Sequence, residues 1–292
     1  MKISLITPDS PNTIPWIAEF ERQGCEVIVN DATTDCNFLI CGSVSVISDL
    51  ERLHGVYPTI PIINYNWDVY EWYKTQHYDW DKYGLFLNKS REIWCPSEEV
   101  ILRTEEYFNA GKKCKIIKTF ARFFEYNNVR DDRYIYQPMR YYNLDRNFGW
   151  LKRACSELSL PVKESLNILS ETDFQNMIAC CSFMVCEYYE ASTGGLTLVE
   201  GYRLGKPVLV SDSVYMGARD YFGDKATYFI HNNYEDFKVK LKSMWDNTPK
   251  LNVEECREVL DKCLHRHDAT IGLSWDVMDC HIDDILEERN TE

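Results

Sequence analysis

Apolar residues fall into short, dense runs along the first third of the chain, and amphipathic stretches separate them. Residues 2–7, 26–29, 38–41, 60–63, 92–95 and 115–118 read as strands. Residues 11–23 space Ile14, Ile17, Ala18 and Phe20 along one helical face and stop at Gly24, a C-cap signal. Residues 43–53 predict a second helix, and Ser97 opens a third whose apolar face begins at Val100. Near-continuous apolar strands alternating with amphipathic helices argue for a parallel sheet covered on both faces.

Residues 120–133 break the rhythm with charged and aromatic side chains and read as a connection between domains. The alternation then resumes. Strands are predicted over 134–137, 165–169, 183–187, 207–210 and 226–230. Helices are predicted over 144–158, 170–181 (capped by Ser170, with Asp173 three residues on), 195–204, 234–245, 253–263 and 275–289. The chain therefore reads as two α/β halves of the nucleotide-binding type.

Bulk properties narrow the partners. Of 292 residues, 45% are hydrophobic, which is enough for a real core and excludes wholesale disorder. Lys and Arg number 32 against 46 Asp and Glu, a net charge of −14, so nucleic acid and anionic membranes are poor default partners. A local basic pocket for a small anion remains compatible with that charge. No stretch is long and apolar enough for a membrane span, and the first residues read as a strand rather than a signal peptide, so a cytoplasmic location is expected. Several of the twelve cysteines sit inside apolar runs (Cys41, Cys95, Cys186), and none forms a Cys-x-x-Cys pair. Reduced, buried thiols are expected rather than a zinc site. His265 and His267 lie in a basic, polar stretch and read as solvated.

The chemically informative stretch is 185–212: a strand, a loop with Glu190 and then Thr193-Gly194-Gly195, a helix carrying Glu200, and Gly205-Lys206-Pro207 before another strand. Glycines admit close approach of the backbone to a ligand, and a helix N-terminus offers free N–H groups and partial positive charge to a diphosphate. Leu196 and Thr197 would open that helix. Glu200 lies about a turn and a half inside it and can accept two hydrogen bonds from vicinal ribose hydroxyls. No Gly-x-Gly-x-x-Gly follows the first strand, which argues against a nicotinamide enzyme.

With Glu190, Gly195, Leu196, Glu200 and Gly205-Lys206-Pro207-Val208 in this order, the chain resembles glycosyltransferase family 4, the retaining GT-B enzymes. Further matching pieces are Gln23-Gly24-Cys25-Glu26-Val27, Trp94-Cys95-Pro96-Ser97 and Gly223-Asp224-Lys225-Ala226-Thr227-Tyr228-Phe229. The resemblance implies two Rossmann-like domains facing a central cleft, with a C-terminal helix returning to the first. Residues 1–119 plus 274–292 would form the acceptor side and 120–273 the nucleotide-sugar side. It also implies a metal-independent, cofactor-free transfer of a hexosyl or pentosyl group from a UDP- or GDP-sugar type of donor to a glycan, lipid or small-molecule hydroxyl. Arg140 and Arg146 fall where the family places a basic pair and would clamp the diphosphate. Glu190 would hold the donor sugar.

The sequence departs from the family in places. Nine residues rather than seven separate Glu190 from Glu200, so Glu187, Glu190 and Ser192 all compete for the first-glutamate position. Thr7-Pro8-Asp9-Ser10-Pro11 stands where the family has a glycine pair. On the acceptor side, Asn66, Trp67 and Asp68 follow the fourth strand; Asp68 would orient or deprotonate a hydroxyl and Trp67 would stack on a sugar. Two alternative functions are a glycosyltransferase acting on DNA bases, disfavoured by the charge, and a non-catalytic nucleotide-sugar-binding subunit. A homodimer is compatible with the transferase reading.

Overall fold

The protein is described from a computed structural model covering residues 1–7, 14–42, 44–66, 78–95, 98–116, 120–122, 126, 128–138, 148–165, 170–187, 196–212, 218–263 and 265–267. Two parallel sheets dominate it. The first comprises β1 (Lys2–Ile6), β2 (Glu26–Val29), β3 (Phe38–Cys41), β4 (Ile62–Tyr65), β5 (Glu92–Cys95) and β6 (Cys114–Ile116), in the order β2-β1-β3-β4-β5-β6. Between these strands run α1 (Ile14–Arg22), a 3-10 turn at Val44–Val46 leading into α2 (Ile47–Val56), α3 (Trp80–Lys89) and α4 (Glu98–Phe108). After β7 (Phe120–Arg122) comes the second sheet, formed by β8 (Ile135–Gln137), β9 (Val162–Glu164), β10 (Phe183–Cys186), β11 (Val208–Ser211) and β12 (Thr227–Phe229), in the order β12-β11-β10-β8-β9. Its helices are α5 (Trp150–Leu158), α6 (Glu171–Cys180), α7 (Leu196–Arg203), α8 (Ala218–Phe222), α9 (Tyr234–Asp246) and α10 (Val253–Cys263). Finally β13 (His265–His267) pairs with β7, tying the chain beyond α10 back to the segment between the sheets.

The period of two along each strand builds a core on both faces. In β3, Phe38 and Ile40 join one cluster with Trp16 and Phe20 of α1, while Leu39 and Cys41 join the other with Leu50 and Leu53 of α2. In β10, Phe183 and Val185 face Leu151, Phe237 and Leu241, while Met184 and Cys186 face Ile178, Leu198 and Val199. The ten cysteines whose side chains are described are free thiols, and all but Cys114 are buried. Among the described residues, no helix is long and apolar enough to cross a membrane.

The expected elements and the observed ones differ in instructive places. A strand forms at Val162–Glu164, with Val162 opposite Ile135, just ahead of the strand expected over 165–169, of which residues 166–169 lie outside the described residues. β9 is an edge strand, half exposed, so it has no need of a continuous apolar run. β4 sits two residues later than expected. Helix α3 was not foreseen, because its aromatic density hides the Tyr83, Phe86 and Leu87 stripe that it buries; Asp79 caps it by accepting from the Lys82 amide at 3.0 Å. Helix α5 starts at Trp150 rather than 144, after Gly149 at φ 70°. The Ser170 cap is as expected, accepting from the Asp173 amide at 3.1 Å. His265 and His267 fall in β13, whose backbone pairs with β7. The helix predicted over 275–289, including its expected return to the first domain, lies outside the described residues.

Candidate functional site at the carboxyl edge of the second sheet

In the second sheet β8 and β10 are neighbours, with Phe183 opposite Ile135 and Met184 opposite Tyr136. From β8 the chain crosses by α5 to β9 on one side, and from β10 by α7 to β11 on the other. The carboxyl ends of β8 and β10 therefore flank a topological switch point, where open α/β sheets bind ligands. Two connections depart there side by side: the one after Gln137, which contains Arg140 and Arg146, and the one after Glu187, which contains Glu190 through Gly195. The first sheet has the same arrangement between β1 and β3.

Glu187 immediately follows β10 and is 1% exposed. Its Oε2 accepts from the backbone N–H groups of Trp150 (2.7 Å) and Leu151 (3.0 Å), and its Oε1 accepts from Gln137 Nε2 at 3.1 Å. Gly149 provides no side-chain cap for α5, so Glu187 supplies it from just beyond the neighbouring strand. Burial pushes its carboxyl up to about 7 against the pull of these three donors, and Glu164 adds to the rise. The Phe148 ring stacks on Trp150 at 3.9 Å and lies 5.5 Å from His231, whose Nδ1 is 2.9 Å from Ser211 Oγ. Of the three candidates for the first glutamate, Glu187 thus has both its oxygens engaged within the fold, Oε2 by α5 and Oε1 by Gln137 of β8. Glu190 and Ser192 lie outside the described residues.

Helix α7 carries Glu200, which is 5% exposed. The Tyr126 hydroxyl donates to Glu200 Oε2 at 3.1 Å. Burial, and then the Glu200 carboxylate, drive that phenol well above its ordinary range, so it stays a donor. Sequence reading missed this partner, since Tyr126 belongs to the segment between the sheets. Next to Glu200, a Cβ on Gly201 would come within 2.0 Å of Met184 Sδ, so the glycine is what lets α7 lie directly on β10. Leu196 opens α7 and Thr197 occupies its first turn, as expected.

The Gly205-Lys206-Pro207 motif performs structural work. Gly205, at φ 75°, ends α7: its N–H reaches Tyr202 O and the Lys206 N–H reaches Gly201 O, both at 2.9 Å, a Schellman cap. Lys206 turns inward, and its Nζ donates to the carbonyls of Arg130 (2.6 Å) and Cys181 (2.8 Å). Burial lowers its pKa. Gly24 ends α1 the same way, with Gly24 N–H to Glu21 O and Cys25 N–H to Phe20 O, both at 2.9 Å.

No protein-family model matches this sequence. No curated protein matches it either. Solved structures do. The apo form of the lipopolysaccharide outer core galactosyltransferase WaaB superposes with a TM-score of 0.63 at 11% identity, covering 90% of this chain and 96% of that one. HepE from Anabaena, in complex with UDP-glucose, gives 0.61 at 11% identity over 90% and 94% of the two chains. Sucrose-phosphate synthase from Thermosynechococcus elongatus gives 0.71 at 8% identity over 100% and 99%. The chain has the GT-B fold.

Within that fold, the expected acceptor-side residues divide. Asn66 follows β4 and is 6% exposed. Its Nδ2 donates to Thr104 Oγ1 at 2.7 Å, and its Oδ1 accepts from the Tyr83 hydroxyl at 2.9 Å, so its amide is committed to holding α3 and α4. Trp67 and Asp68 lie outside the described residues, as do Arg140 and Arg146.

Proposed function

We propose that this protein is a retaining, metal-independent glycosyltransferase that moves a sugar from a nucleotide-diphosphate sugar to a hydroxyl acceptor. One observation carries the reading: a GT-B fold whose second sheet has its switch point between β8 and β10, with both sequence-nominated connections leaving from it. The UDP-glucose held by HepE, a protein of the same fold, supports the class of donor. Residues 120–273 form the donor side in this reading; residues 1–119 and 274–292 form the acceptor side.

Arg140 and Arg146 would meet the diphosphate together with the N–H groups of Gly194, Gly195, Leu196 and Thr197. Glu200 would take the ribose hydroxyls, with Tyr126 setting the orientation of its carboxylate. Glu190 would hold the donor sugar. As the bond from the anomeric carbon to the diphosphate oxygen breaks, its electron pair stays on the diphosphate, where the cationic groups stabilise it. The acceptor oxygen, oriented by Asp68 with Trp67 stacked on its sugar, then bonds to the same face of that carbon, and the departing diphosphate takes its proton.

A thermal-shift panel of UDP-, GDP- and ADP-sugars tests the donor assignment. At 100 times Kd a ligand adds about 2.7 kcal/mol to the folded state, a rise of a few degrees. Turnover of the stabilising donor should survive EDTA, and its Kd should rise about tenfold or more in Glu200→Ala. No shift from any member at millimolar concentration would sink the donor site; strict dependence on manganese would sink the metal-free mechanism.

A further inference from the structure

The connection between β8 and α5 leaves the sheet after Gln137 and returns at Phe148. Glu187 reaches both ends of it. On the exit side, Gln137 Nε2 donates to Oε1 at 3.1 Å. On the return side, the Trp150 and Leu151 N–H groups donate to Oε2 at 2.7 and 3.0 Å, and the Phe148 N–H donates to the Glu187 carbonyl at 3.3 Å. One residue just beyond the neighbouring strand thus joins Gln137, where the connection leaves, to Phe148–Leu151, where it returns.

A helix cap alone does not explain this choice. A Ser or Asp at position 149 would satisfy the first N–H groups of α5 locally and at the surface, without burying a carboxyl group. Position 149 is instead a glycine at φ 70°, and the cap comes from a side chain that is 1% exposed. A local cap has no reach to Gln137; Glu187 does. The ionisable groups facing it are Glu164 at the end of β9, which raises its carboxyl further, and the Cys155 thiol of α5, which burial and then Glu187 push up to about 12. The arrangement spends buried polarity on joining the two ends of one connection.

We propose that Glu187 is a positioning residue for the donor diphosphate: by fixing the exit at Gln137 and the return at Phe148–Leu151, it sets where the β8–α5 connection meets the ligand. The inference rests on the donor-site reading above, because Arg140 and Arg146 belong to this connection. Carboxylate charge is not what the role needs; two acceptor positions and the right reach are. Gln at this position supplies an acceptor for the α5 amides, and the Gln137 amide can turn over to accept from its NH₂.

The test combines amide hydrogen exchange with calorimetric titration of UDP, GDP and ADP, using the full chain as wild type, Glu187→Ala and Glu187→Gln. Expected for Glu187→Ala is at least tenfold faster exchange at Phe148, Trp150 and Leu151, and at least tenfold weaker binding of whichever nucleotide the wild type takes. Glu187→Gln should stay within about threefold of wild type in both. A Glu187→Ala protein that exchanges faster but binds as tightly as wild type overturns the proposal, as does a Gln variant that loses as much as Ala. Should the Ala variant not fold, Gln137→Leu cuts only the exit-side bond; it should retain a melting transition and bind at least threefold more weakly, and unchanged affinity overturns the proposal. Wild type binding none of the three nucleotides removes the donor-site reading and this inference with it, whereas binding unweakened in the variants removes the inference alone.

Discussion

The two sheets share one strand order at their centres and bury different chemistry. Both place their second strand outside the first and their third on the other side, and both pack apolar clusters on each face. In the first domain the buried polar side chains, among the described residues, are Ser4, Thr7, Asn64, Asn66, Ser90 and Thr104, all neutral. Most of their polar atoms pair with one another or with nearby carbonyls: Asn66 to Thr104, Thr104 to Val100 O, Asn64 Nδ2 to Ser90 and Ser90 to Phe86 O, with Asn64 Oδ1 left over. In the second domain the buried set includes Glu187, Glu200 and Lys206. A neutral hydrogen bond nets about 1 kcal/mol, while taking an ion out of water costs several. The second domain therefore holds the ionisable groups whose loss would leave the most buried partners unpaired, and two of the three, Glu187 just beyond β10 and Glu200 on α7, lie at the elements that meet at the switch point.

That contrast can be broken first at Lys206. Lys206→Met strands the carbonyls of Arg130 and Cys181 in a buried corner, and the expected loss is about 4 kcal/mol. Its neutral counterpart, Asn66→Leu, should cost about 2 kcal/mol. Urea unfolding of both variants reads the difference; equal costs would erase the distinction between the domains.

Glu187 sharpens it through pH. The folded carboxyl titrates at about 7 against an ordinary 4.5, so the native state binds more protons than the unfolded chain between those values. Stability from this group is therefore full below about 4.5 and falls as pH rises to about 7, by about 3 kcal/mol in all. Glu187→Gln cannot ionise there. It should match wild type in melting temperature at pH 5 and exceed it at pH 8, and parallel curves across that range would show that the carboxyl ionises freely in the fold.

The smallest contrast lies in the two helix stops. Gly24 and Gly205 both have left-handed φ, 79° and 75°, so alanine at either costs about 1 kcal/mol from backbone strain. A Cβ at Gly24 meets nothing within 4 Å, whereas at Gly205 it lies 3.0 Å from Val253 Cγ2. Gly205→Ala should thus cost about 1 kcal/mol more than Gly24→Ala, because α10 has to give way. A matched pair of melting curves decides it.

Much of this architecture was legible in the chain. The strands at 26–29, 38–41 and 92–95 and the helix at 253–263 sit where the pattern places them, because buried parallel strands are short apolar blocks and helices carry a 3.6 period. Gly24, Ser170 and Gly205 marked helix ends through strictly local stereochemistry. The α3 helix and the β9 strand escaped for different reasons: the aromatic run leading into α3 hides its Tyr83, Phe86 and Leu87 face, and β9 is an edge too polar to show a run. Of the candidate site, the order of strand, loop and Glu200 helix was readable, and so was the pair of connections that the fold brings to one sheet edge.

Local pattern suffices for strands, caps and the order of the two halves because each depends on residues a few positions apart. The fate of a polar side chain does not. Lys206 takes partners 76 and 25 residues away, Glu187 partners 50, 37 and 36 residues away, and Glu200 a partner 74 residues away. No spacing in the chain encodes those encounters, so whether a Glu or a Lys meets ligand, water or a buried backbone group was settled only when both sheets had packed their helices.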